Sequence, residues 1–133
     1  MKMRLLMLSL LSTLLACGPS PILQHATAGE PTQRVAEKAE TRLHSRWLQG
    51  PAVGSESVLV ASFTDQNGQV LTLSNLQVEL WMPDMGHGSA PVKIEAQADG
   101  SYLIKQMYFI MGGTWEVHFR DGDRVLVTLV VNL

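Results

Sequence analysis

From Trp47 to the C-terminus, apolar residues recur at every second position. Leu59, Ala61 and Phe63 alternate with Val60, Ser62 and Thr64, and Leu76, Val78, Leu80 and Met82 with Gln77, Glu79 and Trp81. Val92, Ile94 and Ala96 alternate with Lys93, Glu95 and Gln97, and Trp115, Val117 and Phe119 with Thr114, Glu116 and His118. A period of two is the signature of a strand with one buried face. Shorter strands are predicted at 70–73 and from Tyr102 to Gln106, and Val125, Val127, Leu129, Val131 and Leu133 form a last one. The breaks carry turn chemistry: Asp65-Gln66-Asn67-Gly68, Ser74-Asn75, Ala98-Asp99-Gly100 and Arg120-Asp121-Gly122-Asp123-Arg124. With a further strand near 47–53, the pattern predicts an all-β fold. It is a small immunoglobulin-like antiparallel β-sandwich of about seven strands over residues 47–133.

The pattern is different before Trp47. Residues 18–46 are Pro, Ala, Thr, Gln and charge with few large apolar side chains, a composition that reads as a flexible tether. Val35, Ala39, Leu43 and Trp47 fall at helical spacing, but one short stripe makes a weak helix near 34–46. Fully extended, the segment would span roughly 95 Å. Ahead of it, Met1-Lys2-Met3-Arg4 is a basic start, and Leu5 to Leu15 is an apolar run broken by Ser9, Ser12 and Thr13. That run is too short for a membrane-crossing helix, which needs about 20 residues, and it suits a secretion signal over residues 1–16. Leu14-Leu15-Ala16-Cys17 resembles the bacterial lipobox, in which the cysteine is acylated (palmitate or a similar chain) and becomes the new N-terminus. Cys17 is the chain's one cysteine, so no intrachain disulfide can form. By resemblance to lipoprotein sorting rules, Gly18 favours the outer over the inner membrane, with the domain facing the periplasm.

Losing Lys2 and Arg4 with the leader would remove two positive charges and move the formal net charge from −2 to −4. A mildly acidic domain with no basic cluster is a poor nucleic-acid binder. The lipid would be its hold on the membrane.

Short turns make successive strands antiparallel, which places the loops 83–90 and 107–113 at one end of the sandwich. The hairpins at 98–100 and 120–124 fall at the other. Those two loops and their flanks read Trp81-Met82-Pro83-Asp84-Met85-Gly86-His87-Gly88 and Met107-Tyr108-Phe109-Ile110-Met111-Gly112-Gly113-Thr114-Trp115. Of seven methionines, Met1, Met3 and Met7 belong to the leader, so all the others lie in these segments beside His87. Thioether and imidazole donors suit Cu(I). Met82, Met85, His87, Met107 and Met111 are therefore candidate copper ligands, with Trp81 or Trp115 shielding the open side. The competing reading is packing alone, since methionine fills irregular gaps. Asp84 is a lone carboxylate there, too few oxygens for Ca²⁺.

Other candidates carry less. His118 falls on an outward strand position, and Asp121 and Asp123 flank Gly122 in a turn. Gly86-His87-Gly88-Ser89 lacks the strand–serine–helix setting of a hydrolase elbow. No nucleophile–base–orienter set can be assembled around His87, and the chain reads as non-enzymatic.

At these same residues the chain resembles a known group. The Trp81–Gly88 segment, Gly100-Ser101-Tyr102, Phe109-Ile110-Met111 and Gly113-Thr114-Trp115-Glu116-Val117 look like the FixH-like/YtkA-like domain family. The likeness covers about residues 47–133. It implies a small extracytoplasmic β-sandwich and a link to copper handling or respiratory-oxidase maturation. It points to Met82, Met85, His87 and Met111 as the motif positions. FixH is held by a transmembrane helix, whereas this chain offers Cys17 for a lipid anchor, a departure that puts an oxidase-assembly role further from the expectation than copper handling. The expectation is a membrane-tethered lipoprotein handling copper. The alternative is an envelope protein–protein interaction module with no metal, its Met/Trp/Tyr end packing or docking a partner.

Overall fold

The alternation is realised as two antiparallel sheets packed face to face. The computed structural model describes residues 32–37 and 40–133. In chain order the strands are β1 (Thr32–Glu37), β2 (Arg42–Gln49), β3 (Glu56–Thr64), β4 (Val70–Leu71) and β5 (Leu76–Met82). After a 3₁₀ turn at Pro83–Met85 come β6 (His87–Gly88), β7 (Lys93–Ala96), β8 (Tyr102–Tyr108), β9 (Thr114–Asp121) and β10 (Arg124–Asn132). One sheet has the order β1-β10-β9-β5-β6; the other has β2-β3-β8-β7, with β4 on the far part of β3. Together they make the all-β sandwich that the periodicity predicts.

The inward positions of both sheets interdigitate as one core. Leu59, Ala61 and Phe63 of β3 and Trp115, Val117 and Phe119 of β9 are fully sequestered. Fully burying a side chain of this size contributes roughly 1.5–3 kcal/mol, so these strands dominate the fold's stability. Aromatic rings join the sheets edge to face: Phe63 meets Phe119 at 5.5 Å between centroids and Phe109 meets Trp115 at 5.6 Å. Among the described residues no buried side-chain polar atom lacks a partner.

Three expectations are corrected. First, the sandwich begins well before Trp47, because β1 and β2 occupy residues assigned above to a polar tether or a weak helix. In β2 the inward Leu43 is buried, Ser45 and Trp47 are half-buried, and Arg42, His44, Arg46 and Leu48 face solvent. A strand at the edge of a sheet needs few apolar residues, and charge on its outer face deters pairing with other chains. That polar face is what made the segment look like a tether. The leader, Cys17 and residues 18–31 lie outside the described residues. Second, the strand count is ten rather than about seven among the described residues. β1 and the two-residue β6 were not expected, while β4 is the short strand expected at 70–73.

Third, bulges in β8 and β10 break the simple alternation. Between the pairs Ser57–Met107 and Leu59–Ile104, β8 carries one more residue than β3, with Gln106 in the left-handed region at φ 58°. The extra residue resets the parity, so Tyr102 and Ile104 point inward and then Met107 and Phe109 do. β8 therefore runs past Gln106 to Tyr108, and Met107 is a strand residue. A second bulge on β10 turns both Leu126 and Val127 inward and leaves Val125 partly exposed.

Candidate functional site

Strand direction brings the two methionine-bearing segments to one end. β5 ends at Met82, and Pro83, with its ring-fixed φ, starts the 3₁₀ turn. Gly86 closes it at φ 65°, its N–H donating to Met82 O at 3.0 Å and Pro83 O at 3.2 Å. A positive φ of this kind suits glycine. The chain then doubles back, pairing His87 with Met82 and Gly88 with Trp81. Opposed residues in an antiparallel pair project from the same face, so His87 shares the inward face of the buried Met82. Gly88 is required there: a Cβ would lie 2.8 Å from Leu80 O.

The 107–113 segment closes over this turn. Ser89 Oγ donates to Tyr108 O at 2.6 Å, tying the two segments directly. Trp115, fully buried at the start of β9, donates its indole N–H to Met111 O at 3.0 Å. Its ring meets the His87 imidazole edge-on at 6.3 Å. The Met82 methyl rests on Gly113, where an added Cβ would come within 2.5 Å of it. The His87 ring and the Met111 carbonyl thus meet one indole, and Met82 lies opposite His87 with its methyl on Gly113.

The His87 ring is oriented by a neighbouring backbone carbonyl. Its Nδ1 lies 3.2 Å from Gly88 O. A carbonyl only accepts, so this bond requires the proton on Nδ1 and leaves Nε2 as the basic nitrogen. Nε2 has no hydrogen-bond partner among the described residues. Holding one ring nitrogen with a backbone carbonyl orients the other toward a ligand, the usual arrangement around metal-binding histidines.

The predicted residues separate by position. Met82 is 4 % exposed, His87 and Met111 are half-buried, and Met85 stands out from the turn at 56 %. Met107 is fully sequestered opposite Ser57, within the core rather than on a loop. Among the described residues no three His, Cys, Asp or Glu side chains form a metal-holding group. The donors at this end are thioethers and one imidazole. Sequence reasoning missed the Gly88 carbonyl, Ser89 and Gly113. The Gly86-His87-Gly88 spacing signalled a tight reversal, but nothing in it revealed that the reversal pairs back onto β5.

His118 is on the outer face, where its Nε2 donates to Glu116 Oε2 at 2.7 Å and Nδ1 lies 3.7 Å from Glu79 Oε2. An open cleft of about 370 Å³ runs beside β5, bordered by Gln77, Glu79, Ser89, Pro91 and Arg120. Its Glu79 is engaged by Arg120 at 3.6 Å, and the methionine cluster lies outside it.

No curated protein matches the chain. Among solved structures it is similar to a crystal structure of the Lin-41 filamin domain, 16% identical with a TM-score of 0.45, covering 62% of this chain and 81% of that one. A family model described as YtkA-like matches residues 33–120, from β1 through β9 and across the whole Met/His end. The chain belongs to the YtkA-like family.

Proposed function

We propose that this YtkA-like β-sandwich is a non-enzymatic copper-handling module of the bacterial cell envelope. In this reading it is exported by the leader over residues 1–16 and held to a membrane, the outer one favoured, by an acyl chain on Cys17. The observation that carries the copper reading is the His87 arrangement. Nδ1 is committed to Gly88 O, so Nε2 is presented as a donor on the face shared with the Met82 thioether. Met111 adds a second half-buried sulfur, and Met85 is the exposed one that a metal would meet first. Imidazole with neutral thioethers fits soft, monovalent copper and offers little to Ca²⁺ or Mg²⁺, which need several oxygens. Trp115 walls the inner side and excludes water. Met107 serves packing.

In this reading the role is binding and transfer, including delivery to an envelope or respiratory-complex protein. The test is competition of the purified chain against a chromogenic Cu(I) chelator under anaerobic conditions. The wild-type chain withholds one equivalent of Cu(I), and a Met85→Leu/His87→Ala double variant loses at least tenfold in affinity. Equal retention by both chains would end the copper reading.

A further inference from the structure

We propose that the loop end is a membrane-facing surface, with Val53, Met85, Tyr108 and Ile110 seated in the interfacial layer of a lipid bilayer. The inference rests on the acylated-Cys17 reading above and adds an orientation to it. Met85 is 56 % exposed, Ile110 53 %, Val53 46 % and Tyr108 39 %. Scattered apolar residues on a surface are ordinary, but a group at one end needs an explanation. Val53 is bridged to Phe109, which lies between Tyr108 and Ile110, and Gly54 N–H donates to Phe109 O at 2.8 Å. The turn bearing Met85 packs against β9 on the same end. Tyr108 suits this place, having an apolar ring and a polar tip.

The path of the chain selects the occupant. Thr32 pairs with Asn132, which pairs with Thr114, so the chain enters the sandwich at the loop end. Cys17 precedes Thr32 by about 15 residues, at most roughly 50 Å of extended chain. An acyl anchor thus draws the loop end, rather than the far hairpins, toward the bilayer. Charge selects the mode of contact. Residues 50–55, 83–92 and 109–113 include no Lys or Arg, and Asp84 is their one carboxylate. Docking is therefore apolar: insensitive to salt and weakened, not strengthened, by anionic lipid. In this pose the Met85–His87 turn opens at the membrane surface.

The test uses the full acylated chain in phosphatidylcholine vesicles containing doxyl-labelled lipid. Acylation blocks Cys17, so Ile110→Cys or Asp123→Cys each carries a single nitrobenzoxadiazole dye. Expected is flotation with vesicles and several-fold stronger quenching at position 110 than at 123. That quenching is unchanged in high salt and reduced by added phosphatidylglycerol. Met85→Ser/Tyr108→Ser in the Ile110→Cys chain lowers the quenching without affecting flotation, which separates seating of the surface from insertion of the dye. Floating vesicles with equal quenching at both positions overturn the docking and leave the anchor standing. A chain that does not float overturns both. Shielding of position 110 in detergent that grows with protein concentration assigns the patch to a second copy, and shielding only with another envelope protein assigns it to a protein partner. Either result overturns the proposal.

Discussion

The two ends of the sandwich are built from the same strands and closed in opposite ways. At the hairpin end, Phe63 packs against Tyr102 at 6.0 Å and Phe119 at 5.5 Å. The Tyr102 hydroxyl accepts from Leu73 N–H at 2.6 Å and donates to Leu73 O at 3.1 Å, pinning the β4–β5 connection to the core. The turns there are locked by their own side chains: Asp65 Oδ1 accepts from the N–H groups of Asn67 and Gln69, and Asp99 Oδ1 from Ser101 N–H and Oγ. At the loop end, Phe109 meets both Trp47 and Trp115 edge to face. What lies over them is exposed apolar side chains, a half-buried imidazole and thioethers. The hairpin end leaves Val70 and Val125 exposed but pins its turns with side-chain hydrogen bonds, whereas the loop end gathers Met85, Ile110, Val53 and Tyr108 at its surface.

Breaking the hairpin end is expected to have the largest effect. Phe63→Ala should lower unfolding stability by about 3–5 kcal/mol in urea titrations, whereas Met85→Ala should stay within about 0.5 kcal/mol. Comparable losses from both would erase the distinction. A finer probe is Tyr102→Phe, which removes the hydroxyl and leaves Leu73 N–H and C=O short of a partner. It should cost about 1–3 kcal/mol while leaving Cu(I) retention unchanged.

The smallest effect concerns Asp99. Bonds from the Ser101 hydroxyl, and then from its backbone N–H, hold this exposed carboxyl below its usual range. A lowered folded-state value means that the stabilisation is present above the ordinary carboxylate range and lost as pH falls through the lowered one. Ser101→Ala should therefore raise the Asp99 titration midpoint in carbon-detected NMR. Its stability deficit should be largest near neutral pH and vanish in strong acid. An unmoved midpoint would show that the hydroxyl does not hold the turn.

Much of this contrast was legible in the residues. The period-two runs in β3, β5 and β9 fix which faces are buried, and short turns dictate which loops share an end. That the segments bearing Met82, His87 and Met111 share one end follows from strand direction. Part of what stayed hidden comes from local departures from strict alternation. Gln106 and Leu126 each add a residue to one strand, so Met107 turns into the core and Val125 turns out. β2 hides its strand character behind Arg42, His44 and Arg46, because an edge strand is selected for polarity as much as for burial. The His87 tautomer depends on a backbone carbonyl brought near by a two-residue pairing, which no residue type announces.

The most direct measurement is a methyl and imidazole NMR titration with Ag(I), a redox-inert stand-in for Cu(I). The account predicts saturable shifts at the Met82, Met85 and Met111 methyls and at the His87 ring, complete near one equivalent. The Met107 methyl and the hairpin-end aromatics should stay in place. Shifts confined to Met85, or none below large excess, would contradict a soft-metal site at the loop end.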